Sequence, residues 1–362
     1  GSTAFNSFKY FDVNAGKTVN LHLPGGTQNL INLVNSRKTK IDGVLNGFQN
    51  GQIGGNVFFL NPYGIAIGAS GVVNVGSFTA ITPDKNFMKE FFTAPGNPSA
   101  GATAQVLAGT VPLNKFGAIV INGRINAERD VTLIAGDVTH AGHIYAGAAA
   151  QSSIAGFGDF VNIDGVEVGS DLVVDNGTVK IVAVDDVKIT GQINVDGKEG
   201  LAGGSVAIDA GDAITVNKDA LISAKGVGNN SDGGEIIILA QDDAILDDNA
   251  LIDASAGLSG NGGFIEFSAL DKIDLKGGTL MAAAANGLPG NILIDPSILT
   301  LLSITTLGGN FTAIADIINL NGIISTRQIA GTDHLNDAST GDSGSVGLLA
   351  TQEINIQPGS QI

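Results

Sequence analysis

The feature that most constrains this chain is a repeat of 27 to 30 residues in its second half. Each unit begins at a glycine and continues into alternating apolar and polar residues. The leading glycines are Gly177, Gly204, Gly234 and Gly263. Two more short alternating stretches follow in every unit. A unit of this size cannot bury its apolar face alone, but stacked units form a continuous core with parallel pairing. The repeat therefore predicts a solenoid with three strands per coil.

Alternation within each unit separates the inward from the outward side chains. In the first unit Val179, Ile181 and Ala183 share one face, and Lys180 and Val182 share the other. Gly, Asp and Asn in the turns suit the left-handed backbone of tight corners. A β-propeller repeat is longer, at about 40 residues, and a leucine-rich repeat needs a Leu and Asn frame that is missing. We therefore expect an all-β chain folded as a right-handed parallel β-helix.

Charge and phenylalanine divide the chain near residue 160. Residues 1–160 hold ten Lys and Arg against eight Asp and Glu, whereas residues 161–362 hold eight against 27. The first part also holds 13 of the 16 Phe. Phosphate backbones require a basic stripe, so we expect no nucleic-acid partner. The absence of cysteine excludes disulfides, thiol catalysis and Cys-based zinc sites.

The first third is strand-like but departs from the regular repeat. A solenoid needs an end without bare strand edges. Aromatic residues near the start are placed to plug that end: Phe5, Phe8, Tyr10 and Phe11. The segment Thr82-Pro83-Asp84 precedes KNFMKEFF and predicts a short helix capped by Thr82. We interpret residues 1–82 as an N-terminal cap, residues 83–115 as an insertion outside the helix, and residues 116–290 as coils.

One long segment carries a family resemblance. The run GGNVFFLNPYGIAIGASGVVNVGSFTA from Gly54 to Ala80, with KTVNLHLP at Lys17 and NLINLVN at Asn29, resembles the amino-terminal secretion domain of two-partner-secretion exoproteins, the filamentous haemagglutinin type. The likeness is closest over residues 5–82. The family's Asn-Pro-Asn-Gly-Ile motif corresponds to a segment in which Tyr63 replaces the second Asn: Asn61, Pro62, Tyr63, Gly64 and Ile65. GNILIDP from Gly290 resembles the phrase at which the secretion domain gives way to later repeats.

The resemblance implies a role in secretion. Residues 1–290 would be the two-partner-secretion domain, and residues 291–362 would continue the β-helix of the exoprotein shaft. The implied function is the secretion signal and folding nucleus of a large adhesin, which crosses the periplasm and outer membrane of a Gram-negative bacterium to be secreted or held at the cell surface. The implied partner is an outer-membrane TpsB-type β-barrel transporter with periplasmic recognition domains. The full-length adhesin would contact a host surface or an extracellular polysaccharide.

Residues Asn61 to Ile65 are the candidate transporter-recognition motif. Their turn chemistry is equally suited to closing a coil corner, because Pro62 fixes φ, Asn61 can bond the backbone ahead and Gly64 accepts unusual dihedrals. Both interpretations therefore stay open for this segment. We expect a monomer without cofactor or metal.

A polysaccharide-binding or polysaccharide-degrading β-helix is the alternative function. Such chemistry uses clustered carboxylates on an outer face. The candidate pairs are Asp185-Asp186, Asp242-Asp243 and Asp247-Asp248. The first two occupy matching repeat positions before the second strand, where a solvated turn explains them, and no Arg recurs beside them. His140 and His143 lack the spacing and the carboxylates of a metal site, and we expect them in a surface loop. The sequence thus predicts no enzyme.

Overall fold

The computed structural model describes residues 2–94, 97–150, 176–327 and 344–362. Successive coils stack with parallel pairing, and each coil contributes one stretch to each of three faces. The elements of the first four coils are β1 (Thr3–Phe8), β2 (Asp12–Val13), β3 (Thr18–His22), β4 (Asn29–Val34), β5 (Thr39–Ile41), β6 (Val44–Gln49), β7 (Gln52–Ile53), β8 (Asn56–Leu60), β9 (Ile65–Ile67), β10 (Val72–Val75), β11 (Ser77–Ile81), α1 (Lys85–Glu90), β12 (Phe92–Ala94), β13 (Asn97–Pro98), α2 (Ala100–Ala108), β14 (Ala118–Ile121) and β15 (Arg124–Ala127).

The later coils are more regular. Their strands are β16 (Asp130–Ala135), β17 (Asp137–His140), β18 (His143–Ala146), β19 (Thr178–Ala183), β20 (Val187–Ile189), β21 (Gln192–Asn194), β22 (Ser205–Ala210), β23 (Ile214–Val216), β24 (Leu221–Ser223), β25 (Glu235–Ala240), β26 (Ala244–Leu246), β27 (Leu251–Asp253), β28 (Phe264–Ala269), β29 (Lys272–Met281), β30 (Asn291–Asp295), β31 (Ile298–Thr305), β32 (Asn310–Ser325) and β33 (Val346–Ile356). The last strands bend around corners and serve more than one face.

Each face is a ladder of one strand per coil. Face 1 runs β1, β4, β8, β11, β16, β19, β22, β25, β28, β30, β32 and β33. Face 2 begins β2, β5, β9, β14, β17, β20, β23, β26 and β29. Face 3 begins β3, β6, β10, β15, β18, β21, β24, β27 and β29. The predicted β-helix with three strands per coil is confirmed.

Ladders of like residues fill the interior. On face 1, Val179 pairs with Val206, which pairs with Ile236 and then Ile265. All four side chains are at most 1% exposed. Because side chains alternate across a strand, in-register stacking places apolar residue on apolar residue along the whole rod. The inward set predicted from the repeat is therefore the core.

The chain leaves the coil at residue 82 and rejoins it at residue 118. The excursion contains α1, the antiparallel pair β12 and β13, and α2. Its apolar side chains pack against the outer surface of face 1. Together they form a second buried cluster, to which the insertion contributes Met88, Phe91, Val106 and Val111 and face 1 contributes Ile31, Leu33, Phe58, Leu60, Ile81 and Ile134. Face 1 is thus buried on both sides in the early coils, which explains much of the phenylalanine content there.

The sequence predicted the first of the two helices in this excursion, α1, but not the second, α2. The predicted Thr82 cap is wrong, because Asp84 caps α1 and its carboxylate accepts a hydrogen bond from the backbone of Asn86. Helix α2 was missed, although Ser99 caps its start and Gly109, with φ of 67°, ends it. No helix in the part of the chain that the structure describes is long and apolar enough to cross a bilayer.

Aromatic rings follow one another inside the first coils. Phe8 and Phe11 lie 5.2 Å apart, Phe11 and Phe59 lie 5.0 Å apart, and Phe59 and Phe78 lie 6.2 Å apart, measured between ring centroids. These separations suit tilted and edge-on aromatic pairs. The rings fill the interior from the first coil to the fourth.

An asparagine ladder stabilises the outer side of face 3. The Asn46 amide donates to Asn20 Oδ1 over 3.0 Å, Asn74 donates to Asn46 over 2.9 Å, and Asn126 donates to Asn74 over 2.8 Å. Asn46, Asn74 and Asn126 are 3%, 7% and 1% exposed. Buried amides of this kind lock the coil register, because each side chain needs its neighbour at the same height.

This ladder predicts a strong effect of Asn74→Ala. The change removes the donor to Asn46 and the acceptor of the Asn126 amide in a buried setting, so we expect the free energy of unfolding to fall by about 2 to 3 kcal/mol. Urea unfolding followed by circular dichroism measures it. Asn20→Ala, at the exposed end of the same ladder, is the matched control and should cost less than about 1 kcal/mol. Equal effects of the two changes would contradict a buried ladder.

Candidate functional site

The segment Asn61 to Ile65 forms the corner between β8 and β9. Asn61 is fully buried, and its Nδ2 donates to the backbone oxygen of Arg37 over 2.7 Å and to Thr39 Oγ1 over 2.9 Å. Its Oδ1 accepts from the backbone N–H of Tyr63 over 2.9 Å, and its own carbonyl accepts from Gly64 N over 3.1 Å. One side chain therefore closes the turn and attaches it to the preceding coil.

Gly64 makes the close approach to the following coil possible. Its φ is 103°, and a Cβ at this position would lie 2.7 Å from the backbone oxygen of Ala118 and 2.9 Å from Lys38 Cε. The turn also meets the insertion, because Asn114 Nδ2 donates to the carbonyl of Pro62 over 2.6 Å. The motif thus joins the second, third and fourth coils to the end of the insertion.

The five motif residues divide by direction. Asn61, Pro62, Gly64 and Ile65 are buried, and Ile65 belongs to the core ladder of face 2. Tyr63 alone points outward, with 40% of its surface exposed and Lys85 Nζ 4.5 Å from its ring centroid. The turn predicted from the sequence is present. Its partners Arg37, Thr39 and Asn114 were not predicted, because they lie one coil or one insertion away along the chain.

Two of the three acidic pairs, Asp185-Asp186 and Asp242-Asp243, lie at the same corner as the motif, farther along the rod. We call the set Asp185, Asp186, Asp212, Asp242, Asp243 and Asp271 the acidic corner; each precedes a face 2 strand. Asp247 and Asp248 follow β26 at a different corner. The backbone N–H of Asp212 donates to Asp185, that of Asp242 to Asp212, and that of Asp271 to Asp242. The carboxylates are therefore stacked coil upon coil.

Stacking brings like charges together at the acidic corner. Desolvation and then the carboxylates of Asp186 and Asp242 raise the pKa of Asp212. Single carboxylate oxygens of Asp242, Asp243 and Asp271 lie within 4.8 Å of one another. Oxygen ligands at this spacing suit a hard cation such as calcium, but exposed carboxylates at a turn are equally well solvated by water. This arrangement gives the rod a strongly acidic edge.

His140 corrects an expectation from the sequence. His143 lies not in a surface loop but at the start of β18. His140 is not in a surface loop either but ends β17 as an inward residue of face 2, fully buried between Ile121 and Ile189. Its Nε2 donates to the carbonyl of Gln192 over 3.0 Å, whereas Nδ1 meets no partner in the described ranges. Burial lowers the pKa of His140 to about 4, against the opposing effect of that hydrogen bond. Alternation with Val138 was the missed signal.

Glu128 is buried at the corner where the fourth coil passes into the fifth. Its side chain is 7% exposed. Burial raises the pKa of Glu128 to about 7, against the opposing effect of the Arg129 guanidinium. A neutral His and a carboxyl that readily holds its proton thus lie in neighbouring coils.

These two groups change stability in opposite directions between pH 4.5 and pH 7. As pH falls through this range, the unfolded chain protonates His140 while the folded core does not, so folding loses at most about 3 kcal/mol. As pH rises through the same range, the unfolded chain ionises Glu128 while the folded state keeps the proton, so folding again loses free energy. The two effects oppose each other in the intact protein.

Single substitutions should separate the effects of His140 and Glu128 on the pH dependence of stability. The stability difference between His140→Leu and the unmodified protein should grow in favour of the variant as pH falls from 7 to 4.5. The difference for Glu128→Gln should be largest at pH 7 and disappear near pH 4.5. Urea midpoints measured across this range test both expectations. A difference for His140→Leu that is independent of pH would contradict a neutral buried imidazole.

The sequence and the fold of this chain are similar to those of known proteins. The family model described as the TPS secretion domain matches residues 1–238. The chain is also similar to a solved structure, the crystal structure of the HMW1 secretion domain from Haemophilus influenzae, with a TM-score of 0.61 and 17% identity over 99% of this chain and 94% of that chain. At this identity the likeness shows the fold alone, which is a β-helix. A comparison with curated proteins gave no match.

The family match covers well over half of the chain and contains the whole Asn61 turn. TPS secretion domains are secretion modules, and the fold of the solved relative agrees with the stacked coils seen here. The chain therefore belongs to the TPS secretion domain family and is a secretion module of an exoprotein that passes the outer membrane.

Proposed function

We propose that this chain is the secretion signal and folding nucleus of a large adhesin, recognised by a partner outer-membrane β-barrel transporter of the TpsB type. Family membership supports export by two-partner secretion. The observation that carries the finer proposal is the Asn61 turn, which fastens three coils and the insertion together while it presents Tyr63 to solvent. The residues Asn61 to Ile65 are proposed to serve both folding and transporter recognition.

The folding role follows from two-sided burial. In the early coils the insertion covers the outer side of face 1, in addition to the core on its inner side. Solenoid folding can nucleate at any unit and propagate to its neighbours, and the extra apolar contacts favour nucleation in the early coils. The early coils are therefore the proposed nucleus, and each later coil is added on an existing edge.

The finer organisation is part of the same proposal. A domain over residues 1–290 would be followed by shaft repeats over residues 291–362, in a monomer held at or released from the surface of a Gram-negative bacterium. Contact with a host surface or an extracellular polysaccharide would belong to the full-length adhesin. Face 1 continues past residue 290 from β28 through β30 to β32, and β29 pairs with β31 with two shifts of register, which supports a continuous shaft.

Two substitutions in the motif separate folding from recognition. Asn61→Ala removes two donated hydrogen bonds and one accepted bond, so we expect it to lower the free energy of unfolding by about 2 to 4 kcal/mol and to reduce secretion. Tyr63→Ser should leave the urea midpoint unchanged and still reduce secretion. Exposed Asn122→Ala is the matched control for the first change. Immunoblots of culture supernatant and cells, with and without the transporter, measure export of the full-length exoprotein.

The proposal fails if the exoprotein reaches the medium at normal levels without the transporter, or after deletion of residues 1–82. A Tyr63→Ser protein that is exported normally would confine the motif to folding. A destabilised Asn61→Ala protein that is exported normally would instead remove the folding role. Each result thus bears on one part of the proposal.

The alternative function, a polysaccharide-binding or polysaccharide-degrading β-helix, draws on the acidic corner. The chain has four Arg, and three of them contact groups away from the acidic corner: Arg37 with Asp12, Arg129 with Asn56 and Arg124 over Tyr145. A glycan array and a reducing-sugar assay on the purified chain test this alternative. Binding or turnover that disappears in Asp242→Asn would favour it over a pure secretion role.

A further inference from the structure

Exposed aromatic side chains are concentrated at one corner of the rod. Throughout the described ranges, the aromatic residues with more than a third of their surface exposed are Tyr10 at 55%, Tyr63 at 40% and Phe116 at 83%. None of the three belongs to either buried cluster. All three lie in the connection from face 1 to face 2, in the first, third and fourth coils. The packing of the described residues therefore leaves these rings open to solvent.

The three positions lie at the same corner of the coil, and the pairing of the face 2 strands offsets them from one another by one or two residues. Each lies two residues before the first residue of a face 2 strand, namely β2, β9 and β14. In the second coil the residue two before β5 is Arg37, which lies level with Tyr63. Neighbouring coils are about 4.8 Å apart, so four such positions form a strip on the order of 15 Å long.

A cation lies over each exposed ring. Arg37 Cζ is 4.5 Å from the centroid of Tyr10, Lys85 Nζ is 4.5 Å from that of Tyr63, and Lys115 Nζ is 5.0 Å from that of Phe116. These distances are within the range of cation–π attraction. We call these six residues the aromatic corner. Two of the cations come from the insertion or its return, so the surface exists only when the early coils and the insertion are folded together.

The composition of this surface is that of a protein interface. Tyr, Phe and Arg are enriched in interface cores, and truncation of such residues causes the largest losses of affinity. Rigid aromatic rings offer large contact areas at small entropic cost. The cations around them favour a partner that carries carboxylates.

The same corner reverses its charge farther along the rod. Two residues before the face 2 strands of the sixth, seventh and eighth coils stand Asp185, Asp212 and Asp242. An acidic partner is therefore attracted to the first four coils and repelled by the coils beyond them. Complementary and repulsive patches on one surface fix the orientation of an encounter and raise its rate.

We propose that the aromatic corner is the docking surface for an acidic surface on the periplasmic recognition domains of the transporter. This inference rests on the proposed function and adds to it the residues and the chemistry of the contact. The rings fill the centre of the contact, Lys85 and Lys115 pair with carboxylates around it, and Arg37 keeps its ion pair with Asp12. The acidic corner excludes the same partner from the rest of the rod.

The direct test measures binding of this chain to the purified periplasmic domains of the cognate transporter. In Tyr10→Ser/Tyr63→Ser/Phe116→Ser we expect the Kd to rise at least about 30-fold, since several interface anchors are lost. The matched control replaces three exposed leucines away from this corner, as Leu258→Ser/Leu288→Ser/Leu302→Ser. Its Kd should equal that of the unmodified chain. Urea midpoints of both triple variants should match the unmodified protein, because the replaced side chains are exposed.

A second pair of variants tests the charge. Lys85→Glu/Lys115→Glu should slow association by at least about tenfold at low salt and weaken its salt dependence. Lys180→Glu/Lys188→Glu makes the same change in net charge at exposed positions of the sixth coil. This control should leave the association rate within about twofold.

The binding results separate failure of the docking surface from failure of recognition by the transporter. If the unmodified chain binds the periplasmic domains and the aromatic triple variant binds equally well, the docking surface is wrong while the proposed function stands. If the unmodified chain does not bind them in either the folded or the urea-unfolded state, recognition by the transporter fails as well. Vesicles of phosphatidylglycerol and phosphatidylethanolamine form the last arm. Binding to the vesicles alone, lost in the lysine variant, would replace the proposed partner with an anionic membrane.

Discussion

The whole structure depends on parallel pairing in register between one coil and the next. Every strand must present its N–H and C=O groups at the height of the strand beneath it, so the same kind of side chain recurs at the same position. Corners obey the same rule. A Cβ at Gly204 would lie 2.1 Å from the carbonyl oxygen of Gly177, and one at Gly234 would lie 2.0 Å from that of Gly204. The leading glycines are therefore required by the contact of one coil with another.

This constraint decides where the chain can depart from the rod. An excursion must leave and return at corners, because a strand interrupted in its middle would break the ladder above and below it. The insertion does so between β11 on face 1 and β14 on face 2, and the strands on either side remain paired with their neighbours. The insertion does not follow the repeat, and its apolar side chains cover the outer side of face 1 in the early coils.

Features that repeat with the coil could be predicted, and features that depend on contacts between unlike segments could not. The inward positions Val179, Ile181 and Ala183 and the turn at Asn61 followed from local pattern and turn chemistry. Thr39 and Asn114 could not be assigned to Asn61, because the coils and the insertion between them differ in length. His140 was misplaced since a His at the end of a short strand looks polar, whereas the alternation of its strand points it inward. Helix α2 is too short and too weakly amphipathic to have stood out beside three prolines.

The Asn61 turn combines a folding role and a recognition role in two side chains, Asn61 and Tyr63, that point in opposite directions. Asn61 is directed into the rod and fixes the turn to the preceding coil, while Tyr63 is directed out of it beside Lys85. Deleting the turn would therefore abolish folding and surface together, and a loss of export after such a deletion identifies neither. The side chains allow a finer distinction, since the inward amide reports on the stacked coils and the outward ring reports on what approaches them. Lys85 and Lys115 come from the insertion, so the aromatic corner is complete only after the early coils and the insertion have folded. A partner that binds the aromatic corner therefore binds only the folded early coils. Recognition and folding are in this way linked through the same few residues.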